Sequence, residues 1–177
     1  KTGAQPTFSF PNGHYGVNLF FIISGFVIFM TLEKTDRPMD FAVSRFSRLF
    51  PTYWVSIALT FLICHVLGLP GKEVGIGTAI ANMLMFHGIF WVPHVDGVYW
   101  TLEVELLFYC GMFLLYRLKM LGQIHLALFA LLTLRLTYFL LEQWFSVSLP
   151  WVISRLMILQ YIPWFTLGIC VYLISNR

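Results

Sequence analysis

The feature that most constrains this chain is a succession of apolar runs, each close to the length that crosses a bilayer as a helix. A hydrocarbon core of about 30 Å takes roughly 20 residues at the α-helical rise. Gly16 to Leu32 carries no charge, and Leu49 to Leu69 forms a second clear run. Val98 to Tyr116, Ile124 to Leu141 and Trp151 to Ile174 follow. The sequence predicts an all-α, polytopic transmembrane helix bundle with spans at 16–32, 49–69, 98–116, 124–141 and 151–174. A further stretch, 76–92, is short and carries Asn82 and His87. It reads either as a crossing helix or as a re-entrant one.

Composition leaves no room for a soluble alternative. The chain is 59% hydrophobic and 11% charged, against about 45–50% and about 25% in soluble domains. So few charges cannot cover so much apolar surface, and the chain needs lipid as its solvent. Its net charge of +3 is carried by residues that flank the apolar runs instead of forming a stripe. That pattern excludes nucleic acid as a partner and fits orientation by the positive-inside rule.

Charge also orients the connections. Residues 33–48 carry Lys34, Arg37, Arg45 and Arg48, and residues 117–122 carry Arg117 and Lys119; both are expected on the cytoplasmic side. Glu142 to Pro150 has one acid and no base and is expected outside. The assignments agree when 76–92 does not cross. Pro51 falls in the first turn of the second span, where its missing N–H costs little. Trp91, Trp100, Trp144 and Trp151 sit at run ends, as in an aromatic belt. Cys64, Cys110 and Cys170 lie inside apolar runs with no paired spacing, which argues against a disulfide framework and a zinc site. No metal motif occurs. The chain opens at Lys1 on a polar, turn-rich stretch, read as a loop of a longer protein.

Three segments could carry chemistry. Arg45 and Arg48, three apart, share a helical face. Two guanidiniums there either grip a ligand with several phosphates, such as coenzyme A, or anchor the chain at the membrane edge. Glu103 and Glu105 open an apolar helix between Trp100 and Tyr109. An acid inside a span is costly and marks function or a structural ion pair. The two lie roughly 200° apart on the helix, so they cannot serve one site equally. Glu105 shares a face with Tyr109 one turn on, and Arg135 or Arg155 could pair with it. Glu103 reads as an interfacial acid in contact with water. In the first span, Gly16 and Gly25 permit close backbone approach and Ser24-Gly25 forms a small patch suited to helix packing. Nothing near Ser24 in sequence is an activating base. None of the histidines, His14, His65, His87, His94 and His125, has a partner at a telling spacing. Arg135, inside a span, is either functional or one half of an ion pair.

Taken in order, these segments resemble the acyltransferase 3 family of membrane-bound O-acyltransferases, which modify bacterial surface and secreted polysaccharides. Gly16 to Phe21 followed by Ser24-Gly25-Phe26 is similar to that family's GV-x-LFF-xx-SGF span. Arg45 and Arg48 with Pro51 resemble its RxxR and following proline, and Trp100 to Tyr109 its W-S-L-xx-E-xx-FY helix. Thr101 stands where the family usually has Ser, and Asn18 where it often has an acid. The resemblance implies acyl-CoA, commonly acetyl-CoA, as donor substrate with no permanently bound cofactor. It also implies a carbohydrate or envelope hydroxyl as acceptor and a bacterial inner membrane as location. By the same resemblance Arg45 and Arg48 bind the CoA phosphates and Glu105 is the motif's acid. The family's histidine lies on a helix before the first span here, and its members have more spans than this chain. Residues 1–177 are therefore expected to be a partial domain lacking its first helix and its C-terminal spans, inactive alone. The alternatives are a secondary transporter, which predicts inverted repeats that are not visible, and a non-catalytic membrane scaffold.

Overall fold

The structure, a computed structural model, describes residues 13–67, 75–85, 99–145 and 158–176. Trp91, Trp151, Arg155, His87, His94 and the side chain of His14 lie outside the described residues, as do all of 86–98 and 151–157. Every regular element described is helical: α1 (Gly13–Glu33), α2 (Pro38–Leu67), the short α3 (Ile76–Asn82), α4 (Trp100–Arg117), α5 (Ile124–Phe145) and α6 (Ile162–Ser175). Three stretches are long and apolar enough to cross a membrane: Tyr15–Glu33, Pro38–Val66 and Leu121–Trp144. Helix α6 is apolar but shorter, and α4 has 18 residues with Glu103, Glu105 and Arg117 among them. Multiple apolar helices of this kind make the chain an integral membrane protein.

Two boundaries differ from the sequence reading in ways that matter for the site. The polar segment 33–48 is no extended loop: only a short turn separates α1 from α2, which starts at Pro38 with Asp40 in its first turn. A proline opening and an early acid both favour a helix start, so the helix sets in before the apolar run does. Pro51 consequently lies inside α2 and not in its first turn. In α4, Glu103 occupies the first turn and Arg117 the last, each complementing the helix dipole.

Helix directions follow from the contacts. Ser24 meets Glu105 and Thr35 meets Tyr116, both separated by 81 residues, so α1 and α4 run parallel. Phe41 packs on Tyr109 and Tyr53 on Tyr99, so α2 runs antiparallel to α4. That parity is the one required if 76–92 does not cross. The same pairings put the turn after α1 and the end of α4 at one end of the bundle, where Tyr116 donates to the Thr35 carbonyl. The seven-residue α3 docks on α2 through Tyr53, whose hydroxyl donates to the Asn82 carbonyl at 2.8 Å, and Trp54, whose indole N–H donates to the Met83 carbonyl at 3.1 Å.

Helices α1 and α6 make the closest crossing. A Cβ added at Gly25 would collide with the Phe165 carbonyl, and one at Gly168 with the Ile22 carbonyl. Glycine is what lets these backbones touch. Gly16, by contrast, faces open space and has no part in the packing expected of it. Phe21 sits at the hub between α1, α4 and α6, with rings of Trp100, Tyr161 and Phe165 around it. Trp100 therefore belongs to the core cluster, whereas Trp144 is exposed.

Candidate functional site

Ser24 and Gly25 are neighbours on α1 and point, roughly 100° apart, to different partners. Gly25 meets α6. Ser24, 7% exposed, turns to α4 and donates to Glu105 Oε1 at 3.4 Å. One helical turn beyond Glu105, the Tyr109 hydroxyl donates to the same oxygen at 2.5 Å. Glu105 is thus a buried carboxylate held by two hydroxyls, its partners being Ser24 and Tyr109 and not Arg135. Sequence reasoning found no partner for Ser24 because the carboxylate lies 81 residues away.

Arg45 closes the site from α2. It is 7% exposed, its Nη2 donates to Thr31 Oγ1 at 3.0 Å, and its guanidinium lies over the rings of Phe41 and Tyr109, at 5.6 and 5.9 Å. Thr31 lies one turn along α1 from Val27, whose carbonyl accepts from the Thr31 hydroxyl at 2.7 Å. Arg48, one turn further along α2, is exposed. Both guanidiniums act electrostatically on Glu105. Phe20, Ile23, Ser24, Val27, Ile28, Arg45, Arg48, Glu105 and Tyr109 enclose a cavity of about 190 Å³. Two formal positive charges around one negative one leave this cavity suited to an anionic ligand.

The remaining candidates separate from this site. Glu103 is buried, at 1% exposure, and is not the water-facing acid expected; it lies on the side of α4 toward Tyr53. Helix α2 packs on α4 through Tyr53 and Tyr99, on a face that sequence alone left open. Arg135 makes no ion pair among the described residues. Its guanidinium stacks over Phe139, 5.6 Å from the ring centre, and its Nη1 is buried without a hydrogen-bond acceptor among the described residues. His65 stacks on Phe61. No group of His, Cys, Asp and Glu able to hold a metal occurs among the described residues. Cys64, Cys110 and Cys170 are free thiols, Cys110 being exposed.

Fold and site together define a helical membrane protein that carries a hydroxyl-held carboxylate and two guanidiniums around one small cavity. The chain belongs to the acyltransferase 3 family, whose acyltransferase domain matches residues 2–177. The chain is 28% identical over 116 residues to exopolysaccharide production protein ExoZ of Rhizobium meliloti, covering 62% of this chain and 35% of the relative. It is 31% identical over 117 residues to nodulation protein 10 of Rhizobium leguminosarum bv. viciae, covering 53% and 30%. A third relative, protein 2 in the picA locus of Rhizobium radiobacter, is 40% identical over 67 residues, covering 33% and 35%. The matched region is about a third of the length of these relatives. No solved structure matches the chain.

Proposed function

We propose that this chain is the donor-binding part of a membrane acyltransferase that moves an acyl group, commonly acetyl, from acyl-CoA to a hydroxyl of a carbohydrate or cell-envelope acceptor. The observation that carries this reading is the convergence of Ser24, Arg45, Arg48, Glu105 and Tyr109 on one cavity. These residues come from three helices and from all three motifs that resemble the family. The relatives' names, exopolysaccharide production and nodulation, support an acceptor in envelope or secreted glycans.

In this reading Arg45 and Arg48 serve the acyl-CoA donor from the cytoplasmic side, the side of residues 33–48 and 117–122. A thioester is already activated, so the protein's tasks are positioning and proton removal. Glu105, oriented by Ser24 and Tyr109, charges and aligns an imidazole that a further helix of the intact protein brings to the acceptor hydroxyl. That imidazole takes the hydroxyl proton. The membrane is that of the bacterial cell, with the site inside the bundle and away from lipid.

The test is transfer of labelled acetyl from acetyl-CoA to an exopolysaccharide acceptor by the full-length protein in membranes. Wild type is expected to turn over, Glu105→Gln to fall by about 10²-fold, within the range of general acid–base contributions, and the 177-residue chain alone to be inactive. Wild-type activity in Glu105→Gln, or absence of transfer in the full-length protein across acyl donors, removes this reading.

A further inference from the structure

The two arginines that the RxxR spacing places on one face are not equivalent in the fold. Arg48 is exposed. Arg45 is 7% exposed, pinned by Thr31 and sandwiched near Phe41 and Tyr109. Its Nε and Nη1 are buried and have no hydrogen-bond acceptor among the described residues. Buried N–H groups of a charged side chain are costly to leave unpaired, and Arg45 lines the same cavity as Ser24 and Glu105.

We propose that the pair divides its work: Arg48 takes the donor's phosphates at the open side, while Arg45 holds the carbonyl oxygen of the acyl thioester. This rests on the acyl-CoA reading above. The cavity is too small for a phosphate-rich nucleotide. Its volume is about 190 Å³ and much of its wall is Phe20, Ile23, Val27 and Ile28, whereas sites that enclose drug-sized ligands run from about 300 to 1,000 Å³. A diphosphate also keeps tightly held water that an apolar wall cannot replace. A thioester end is small and nearly neutral, and it acquires charge only during reaction. The acceptor hydroxyl oxygen bonds to the carbonyl carbon, and the carbonyl electron pair moves onto oxygen, where Arg45 meets it. The pair then returns as the C–S bond breaks, and the proton taken from the hydroxyl ends on the departing thiolate as free CoA thiol. Donors fixed in a dry site act most strongly on charge that develops in the transition state.

Affinity and rate separate the two roles in the full-length protein. Arg48→Ala is expected to weaken free CoA and acetyl-CoA alike by about 10-fold or more, and Arg48→Lys to recover much of it, because a phosphate accepts a point charge. Arg45→Ala is expected to leave the Kd of free CoA within about 2-fold while kcat falls by about 10²–10³-fold, as for loss of one oxyanion donor. Arg45→Lys should not restore kcat, since an ammonium lacks the planar fork that bonds Thr31 and still presents two N–H groups. Unchanged CoA affinity itself reports a folded site; should Arg45→Ala fail to fold, Arg45→Lys carries the same comparison. Equal loss of free-CoA affinity in the Arg45 and Arg48 variants would mean a joint phosphate clamp and overturn the division while leaving the acyl-CoA reading intact. A wild-type kcat in Arg45→Lys overturns it too. Failure of the wild type to bind CoA or acetyl-CoA at all removes the acyl-CoA reading and this inference with it.

Discussion

Gly168→Ala on α6 should destabilise the bundle, although the same change is stabilising in most helices. The added methyl would collide with the Ile22 carbonyl of α1 and stand 2.8 Å from the Phe26 nitrogen. Carbon contacts are comfortable at about 3.5–4.0 Å, and these obstacles are backbone atoms that cannot rotate away. Relief requires α1 and α6 to separate by roughly 1 Å. Overpacking of this sort costs about 1–3 kcal/mol, its upper end applying where only whole helices can give. Replacing glycine in a helix returns about 1 kcal/mol, so the net loss is about 2 kcal/mol. Gly111→Ala on α4 is the control: nothing lies within 4 Å of its added Cβ, and Gly111 borders an apolar cavity of about 380 Å³. That change should gain up to about 1 kcal/mol. Reversible unfolding in detergent, by heat or by titrated SDS, should therefore place two chemically identical substitutions about 3 kcal/mol apart, on opposite sides of wild type. Equal stability of the two variants would refute the close α1–α6 crossing. Because Ser24 adjoins Gly25 and its bond to Glu105 is already 3.4 Å long, Gly168→Ala should also lower transfer by the intact protein.

Three further outcomes are expected. Tyr53→Phe should cost about 0.5–1.5 kcal/mol in the same unfolding assay, the net worth of one hydrogen bond, because it removes the 2.8 Å bond to the Asn82 carbonyl while leaving that oxygen the Met85 N–H. Arg135→Met should raise stability and leave transfer unchanged, since a charged residue at a helix centre costs about 2.5–3.5 kcal/mol on insertion scales and this one meets the Phe139 ring and no acid among the described residues; lost transfer would place Arg135 in the machinery. With the native cysteines replaced, Asp36→Cys and Lys119→Cys should label from one face of the membrane and Glu142→Cys from the other, as the helix directions require; labelling of Asp36→Cys and Lys119→Cys from opposite faces would mean that 76–92 crosses.

The apolar runs announced helices because period, length and scarcity of charge act locally. The family resemblance was legible because its three motifs are short and keep their order. The error over Pro51 arose where those cues compete: hydropathy sets in at Leu49, but Pro38 and Asp40 start the helix about three turns earlier. Glu103 was misjudged for a different reason. Its position near a run end is a statement about the chain, while it is buried on the side of α4 toward Tyr53 of α2, and no one-dimensional pattern reports which neighbours cover a face. Arg45 and Arg48 show the same limit at the site. Spacing put both on one face, yet only Arg45 meets Thr31, Phe41 and Tyr109.

The Ser24-Gly25 pair explains why structural and chemical demands on α1 are inseparable. A residue at 25 without a side chain lets α1 lie directly on the backbone of α6, and that contact sets the rotation of α1 about its own axis. Rotation then decides whether position 24 faces α4. With a parallel α1–α4 arrangement, the register that seats Phe21 against Trp100 also brings Ser24 to Glu105 and the turn after α1 to Tyr116. A helix in lipid gains little by burying apolar surface, because the lipid is as apolar as its neighbours. Close backbone approach and a few buried hydrogen bonds must supply what specificity the packing has. The Glu105 carboxylate is therefore one of the few groups able to tell α1 and α4 how to align. This is why substituting Glu105 should be read in stability as well as in rate.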